Sequence, residues 1–424
     1  MISNKYVAID LGSSAISALA AEVQPDGALK ILGVESKPSD DVKHGIVEHV
    51  SGAAFKVNEL VKWLQNSSKI PEVEQVCVSI GARSMKHHHA SVSRFVGASH
   101  IVSEQLIAEM HDECEKKVQN DKIAVFDVIP LSYELDGLNT DEPVGKTATQ
   151  ITGKYCIIYG NKIIADELYR CFDRTGLKIE HSPIASEALS TAVLEEQERE
   201  DGCALINFGA STTSLSIYKY GALQQLLVVP LGGKNITKDI QELGINEQNA
   251  ERLKCLKGTA LERLVEEPIY IQIPSIEAEK PPVRINTQFL ATIIESRLEE
   301  IMNPIVEAIK NYPEELGGGI IVCGGASKLN NLIDFITEKT GIYARFGNHT
   351  DWLIDKTPEK YHDPVLSQLI GTILLTHEYR ELHPVEIEQK SKKKQNDVKI
   401  PKKGIKDRLA NGLMTFFGDE NSMD

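Results

Sequence analysis

Residues 5–23, KYVAIDLGSSAISALAAEV, and residues 203–220, CALINFGASTTSLSIYKY, decide the fold. Each reads as an apolar strand, a Gly-Ser turn and a second strand. Each continues through a further turn into a third strand, ALKILGVES at 28–36 and ALQQLLVV at 222–229. Short apolar runs bounded by turn residues are the pattern of buried strands. Asn207 stands in the second copy where Asp10 stands in the first, and Gly209 where Gly12 stands. One strand–turn–strand unit occurring twice, about 200 residues apart, predicts two related halves facing each other.

The turns have the composition of phosphate clamps. Glycine lets backbone approach a phosphate closely, and hydroxyls and turn N–H groups donate to it. Gly12, Ser13 and Ser14 form one candidate clamp; Gly209, Ala210, Ser211, Thr212 and Thr213 form the other. Asp10 is the candidate magnesium residue, because Mg²⁺ takes one or two carboxylates together with water and phosphate oxygens. Asn207 can hold a water by hydrogen bonding, but it adds no charge and is a poor base. Either turn alone is compatible with an ordinary hairpin; two in matching contexts point to a shared ligand. A third turn, Gly324, Gly325, Ala326 and Ser327, follows the apolar run IIVC. Bare backbone there would let an adenine ring or ribose lie against it. Neither GxGxxG nor GxxxxGK[ST] occurs, which argues against a Rossmann or P-loop site.

A chain of 424 residues is too long for one core. Its 42% hydrophobic and 25% charged residues are ordinary for a soluble globular protein. The formal net charge of -15 repels nucleic acid and anionic lipid, so any membrane binding must be local. The seven cysteines are scattered without a CxxC, which points to reduced thiols in a cytoplasm. The N-terminus runs directly into a strand pattern, with no signal-peptide signature. No run of 18 apolar residues suggests a membrane span. His87, His88 and His89 are adjacent, so they alternate faces on a strand and make a poor metal site. His181 reads as a structural histidine.

Between the hairpins, periodicity predicts a helix at 53–66 with Phe55, Val57, Leu60, Val61 and Leu64 on one side. The texture changes from Met85 to Gly160, where alternating strands surround a helix capped by Ser103, as in a small α+β insertion. Helices are then predicted at 163–175, 184–198, 235–243, 246–257, 287–311 and 364–380.

Several stretches resemble the actin-like ATPase superfamily, and within it the FtsA family of bacterial cell-division proteins. The two clamps and GGASKL at 324–329 are similar to the superfamily's phosphate and adenosine motifs. PLGGKNITKDIQELGI at 230–245, NAERLKCLKGTA at 249–260, VFDVIPLSYELDGLNTDEPVGKTATQI at 125–151 and DPVLSQLIGTILL at 363–375 resemble FtsA segments. The resemblance runs in order over residues 5–380. It implies a two-lobed α/β fold that binds ATP and Mg²⁺, with Gly232, Gly233, Glu251 and Lys254 added to the nucleotide site. It also implies a layout. Subdomain 1A takes 1–84 and 163–198, interrupted by an insertion, 1C, at 85–162. Subdomain 2A takes 199–234 and 319–384, around subdomain 2B at 235–318. A linker at 385–401 leads to an amphipathic helix at 402–418.

The implied partners are the tail of tubulin-like FtsZ, met on 235–318 where Arg284 and Arg297 could face acidic groups, other divisome proteins, and further copies of the chain in filaments. The implied location is the cytoplasmic face of the inner membrane at the septum. The chain departs from the family at Asn207, where an aspartate is usual, and at Val144–Thr147 in the insertion. Position 182 is Ser182, where chaperone ATPases of the superfamily carry a glutamate. Loss of these carboxylates implies ATP that is held structurally or turned over very slowly.

The tail reads independently of any resemblance. On a helical wheel, Ile405, Leu409, Gly412, Leu413, Phe416 and Phe417 fall within an arc of about 140°. Nine basic residues against two acidic ones lie between Lys390 and Arg408, among them Lys402, Lys403, Lys406 and Arg408. This is the pattern of a helix that lies in an anionic lipid surface. Two rival readings remain: a metabolite kinase of the same superfamily, which would need a carboxylate base, and another actin-like filament protein, such as a shape-determining or pilus-assembly homologue.

Overall fold

The computed structural model describes residues 4–383 apart from residues 69, 71, 98, 99 and 278. The expected linker at 385–401 and amphipathic helix at 402–418 lie outside the described residues.

The first half opens with β1 (Lys5–Leu11), β2 (Ala15–Val23) and β3 (Leu29–Pro38), an antiparallel meander. A short hairpin follows, β4 (Val42–Lys43) and β5 (Ile46–Val47), then helix α1 (Val50–Ser68) and β6 (Gln75–Val78), which pairs parallel to β1. The chain then builds a separate sheet from β7 (Lys86–Phe95), β8 (Ile123–Leu135), β9 (Leu138–Thr140) and β10 (Gln150–Asn161), ordered β7-β10-β8-β9, with α2 (Glu104–Val118) packed on it. Helix α3 (Ile163–Thr175), β11 (Lys178–His181) and α4 (Ala185–Val193) complete the half.

The second half starts with α5 (Glu196–Asp201) and a second meander, β12 (Cys203–Phe208), β13 (Thr213–Lys219) and β14 (Ala222–Val229). Helices α6 (Gly233–Gln241) and α7 (Glu247–Lys257), the hairpin β15 (Tyr270–Ile273) with β16 (Val283–Asn286), and α8 (Thr287–Lys310) follow. The chain returns through β17 (Ile320–Cys323), parallel to β12, then α9 (Leu332–Thr340), β18 (Ala344–Phe346) and α10 (Ser367–Leu382).

The two main sheets run β3-β2-β1-β6-β11 and β14-β13-β12-β17-β18. Both have two antiparallel pairings followed by two parallel ones. The repeat read from the hairpins is therefore a repeat of whole sheets. Strands such as β1 bury residues on both faces, as a sheet covered on both sides requires.

Three expectations need correction. Phe55 is 64% exposed, and the buried stripe of α1 is Ala53, Ala54, Val57, Leu60, Val61 and Leu64. Phe55 sits two residues from Val57, about 200° round the helix. The predicted helix at 184–198 is two helices, broken at Leu194 and Glu195, which are extended. Glu198 restarts the helix by accepting from the Glu195 N–H at 2.9 Å, half of a capping box. The predicted helix at 364–380 begins with a 3₁₀ turn, capped where Asp363 accepts from the Val365 N–H, and becomes α-helical at Ser367. Ser103 caps α2 as its sequence suggests, accepting from the Leu106 N–H at 3.2 Å. None of the seven cysteines is in a disulfide, and Cys255 alone among them is exposed.

Candidate functional site

The two meanders face each other across a cleft of about 610 Å³. Its floor is set by strand register. Asp10 is the penultimate residue of β1 and pairs with Ser17; Asn207 is the penultimate residue of β12 and pairs with Ser214. The turns that follow are alike in detail. A Cβ on Gly12 would stand 2.7 Å from the Ala15 carbonyl oxygen, and one on Gly209 would stand 2.9 Å from that of Thr212. Each turn folds so tightly over its glycine that no side chain fits. The third turn closes on the second clamp: Gly324 has φ 94°, and a Cβ there would meet the Phe208 carbonyl and Asn207 Oδ1.

Of the residues singled out in the sequence, Asp10, Gly12, Ser13, Ser14, Asn207, Gly209, Ala210, Ser211, Thr212, Gly233, Glu251, Lys254, Gly324, Gly325 and Ala326 line this one cleft. Thr213, Gly232 and Ser327 stand behind it. Thr213 Oγ1 donates to the Leu231 carbonyl at 2.8 Å, and Ser327 Oγ to that of Gly324 at 2.7 Å. Gly232 lies against the backbone of Gly209 and Ala210.

Electrostatics divide the cleft in two. On the floor, burial pushes the Asp10 carboxyl up to about 6. Asp10 is the one carboxylate among the clamp residues, and no group of three or more metal-binding side chains occurs among the described residues. Beside the third turn, Lys254 Nζ donates to the Gly233 carbonyl at 3.0 Å, to Thr237 Oγ1 at 2.8 Å and to Glu251 at 2.7 Å. Burial raises the Glu251 carboxyl, but hydrogen bonds from Lys254 and Thr237 outweigh that and hold it below its usual value. The pair is thus a fixed polar wall, with Lys254 buried and Glu251 half exposed.

Contacts that carried no sequence signal join the halves. Gln368, in the first turn of α10, contacts Asp10, Ser79 and Asn207. Ser211 Oγ donates to Ser13 Oγ at 2.7 Å, and the His44 N–H donates to Ser211 Oγ at 3.1 Å. Lys234 pairs with Asp40 across the mouth at 2.8 Å. The partners in these contacts lie between 161 and 358 positions apart in sequence, so no local pattern marks them.

Outside the cleft, Arg297 makes a two-pronged pair with Asp239, at 2.5 and 2.8 Å, and also meets Glu300. Arg284 lies over the Tyr270 ring at 3.9 Å. Tyr270, Ile276 and Phe289 are more than half exposed on the same part of the molecule. His87 and His89 face the backbone of β14, contacting the Leu226 and Gln224 carbonyls at 2.9 and 2.7 Å. His181 stacks on Tyr379 with centroids 4.6 Å apart. Ser182 Oγ donates to the Val78 carbonyl at 2.8 Å and is buried.

Residues 204–371 match the family model described as cell division protein FtsA. The chain is similar to the cell division protein FtsA of Escherichia coli K12, 29% identical over 77% of this chain and 80% of that protein. The FtsA of Borreliella burgdorferi is 25% identical over 95% of this chain and 98% of that one. The FtsA of Bacillus subtilis is 26% identical over 78% and 76%. Among solved structures, a PilM-PilN type IV pilus biogenesis complex superposes with TM-score 0.63 at 15% identity, covering 88% of this chain and 98% of that one. MreB 5 of Spiroplasma citri bound to AMPPNP superposes with TM-score 0.54 at 14% identity, covering 91% and 99%. Likeness at that identity fixes the fold.

Proposed function

We propose that this chain, similar along most of its length to cell division proteins FtsA and sharing their actin-like fold, binds ATP in the cleft and ties a polymer of FtsZ to the membrane. The observation that carries the ATP reading is the pair of equivalent glycine turns facing each other across one cleft. Turn N–H groups and the hydroxyls of Ser13, Ser14, Ser211 and Thr212 supply donors for a polyphosphate from both sides. Gly324, Gly325 and Ala326 offer bare backbone for the nucleoside, with Lys254 and Glu251 beside it.

Asp10 fits a magnesium site of the kind that uses one carboxylate and completes its shell with phosphate and water. Bound there, the ion would neutralise phosphate charge. Neither position 207 nor position 182 supplies a base: Asn207 is an amide, and Ser182 is buried and bonded to backbone. ATP is therefore a structural ligand, or one turned over very slowly. A small-molecule kinase would need the same missing base.

The FtsZ tail would meet the surface of 235–318. Arg284 is the better candidate there, because Arg297 is already bound to Asp239. Filaments of the chain itself, other divisome proteins, and peripheral attachment at the cytoplasmic face of the septal membrane complete the reading. No helix of the described residues is long and apolar enough to cross a membrane; the basic, amphipathic sequence pattern of 402–418 is what supports attachment there.

The test is flotation of vesicles containing anionic lipid with ATP, labelled FtsZ polymer, and either the full chain or one truncated before Lys390. FtsZ should rise only with the full chain. Equal flotation with the truncated chain removes the tail from the reading; no flotation with either overturns the tether.

A further inference from the structure

We propose that Gln368 is a positioning residue of the nucleotide site: its neutral amide holds Asp10 and Asn207 together across the floor of the cleft, and it competes with a divalent cation for Asp10 Oδ1. The inference rests on the ATP-binding reading above.

Gln368 Nε2 donates to Asp10 Oδ1 at 2.9 Å and to Ser79 Oγ at 3.0 Å. On the other side, Asn207 Nδ2 donates to Gln368 Oε1 at 3.4 Å. One side chain on α10 therefore touches the same position of both clamps, one in each half. Its orientation is set by its neighbours. An ionised carboxylate only accepts hydrogen bonds, so the amide nitrogen must face Asp10. That leaves the amide oxygen toward residue 207, where only a donor is tolerated. An asparagine supplies one; an aspartate would set acceptor against acceptor at the floor of the cleft. Asn207 and Gln368 are thus a complementary pair, and the pairing gives a physical reason for an amide in the second clamp where the first has Asp10.

The consequence concerns the cation. The amide donor occupies Asp10 Oδ1, an oxygen that a metal or a metal-bound water would use. Engaging a cation there costs the hydrogen bond to Gln368 and, through it, the link to Asn207. Phosphate binding then draws mainly on the donors of the two turns and gains little from Mg²⁺. Removing the amide frees Asp10 and restores dependence on the ion.

The experiment titrates a fluorescent ATP analogue into the full-length protein, with excess Mg²⁺ or with EDTA. The wild type should show affinities differing by about threefold or less, and Gln368→Ala a difference of about tenfold or more. Gln368→Met, which keeps the length of the chain, serves if the alanine variant melts early. Asn207→Asp should weaken binding under both conditions. Adding Gln368→Ala to it should recover binding in Mg²⁺ alone, a coupling that two independent sites would not show. Equal Mg²⁺ dependence in the wild type and both Gln368 variants overturns the inference while leaving ATP binding intact. Absence of binding by the wild type in either condition overturns the ATP reading, and this inference with it.

Discussion

At the scale of single residues, the site is made by what is left out as much as by what is present. Gly12 and Gly209 contribute no side chain, yet each lies where a Cβ would come within 3 Å of a carbonyl oxygen three residues on. Gly209→Ala must open the turn to relieve that contact, which moves the backbone that lines the cleft. Overpacking of this kind costs about 1–3 kcal/mol. We expect ATP affinity to fall about tenfold or more, equivalent to about 1.4 kcal/mol, and Gly12→Ala to match it because the two turns are equivalent. Isothermal titration with ATP checks both; a variant that binds as the wild type does would remove the turn from the site. These residues were legible in the sequence because a glycine turn between two strands is a local pattern. Gln368, Ser79 and His44 were not legible. Each acts through a hydrogen bond to a residue in a different element, and the fold alone brings those elements together.

At the scale of elements, the helices and strands with one clear periodicity were readable, and the breaks were harder. The restart at Glu195 depended on a short capping contact inside an otherwise helical run. The short strands β15, β16 and β18 expose at least one residue each and carry little apolar pattern. The start of α10 depends on His349, a residue outside any motif. His349 is buried; its Nε2 contacts the Tyr361 carbonyl at 2.9 Å and its Nδ1 meets Ser367 Oγ at 2.8 Å. With the Nε2–H donating to the carbonyl, Nδ1 accepts from the serine, so the neutral ring pins the segment before α10 to its first residue. Burial lowers the His349 pKa below the ordinary value of about 6.5, although contact with the Tyr361 carbonyl and nearby Asp363 oppose the shift. The unfolded chain therefore binds this proton more readily than the folded one. The resulting stability is complete above about pH 6.5 and is lost as pH falls toward the lowered folded value. Thermal melts of the wild type should decline over that window more steeply than melts of His349→Gln. Parallel slopes would show that the ring does not titrate on unfolding.

At the scale of the whole molecule, two halves of equivalent topology followed from two hairpins in the sequence; the core that runs from the first sheet into the second did not. Charge is distributed differently: a body that brings the total to -15 is followed by a segment with nine basic residues from Lys390 to Arg408. The two forces proposed for membrane attachment respond differently to salt. Basic residues near an anionic surface contribute about 1 kcal/mol each, and this falls away as the screening length shrinks from about 10 Å at 0.1 M to about 3 Å at 1 M. Burial of Phe416, Phe417, Leu409 and Leu413 would contribute about 1.5–3 kcal/mol per side chain and is not screened. Binding to vesicles should therefore require anionic lipid at low salt and weaken steeply as salt rises. Changing Phe416 and Phe417 together to alanine should abolish what persists at high salt, while neutralising Lys402, Lys403, Lys406 and Arg408 should weaken binding at low salt and reduce the salt dependence. Co-sedimentation across a salt series separates the two contributions. Binding unchanged by salt, lipid charge and both sets of substitutions would mean that the acidic body, and not the basic tail, meets the membrane.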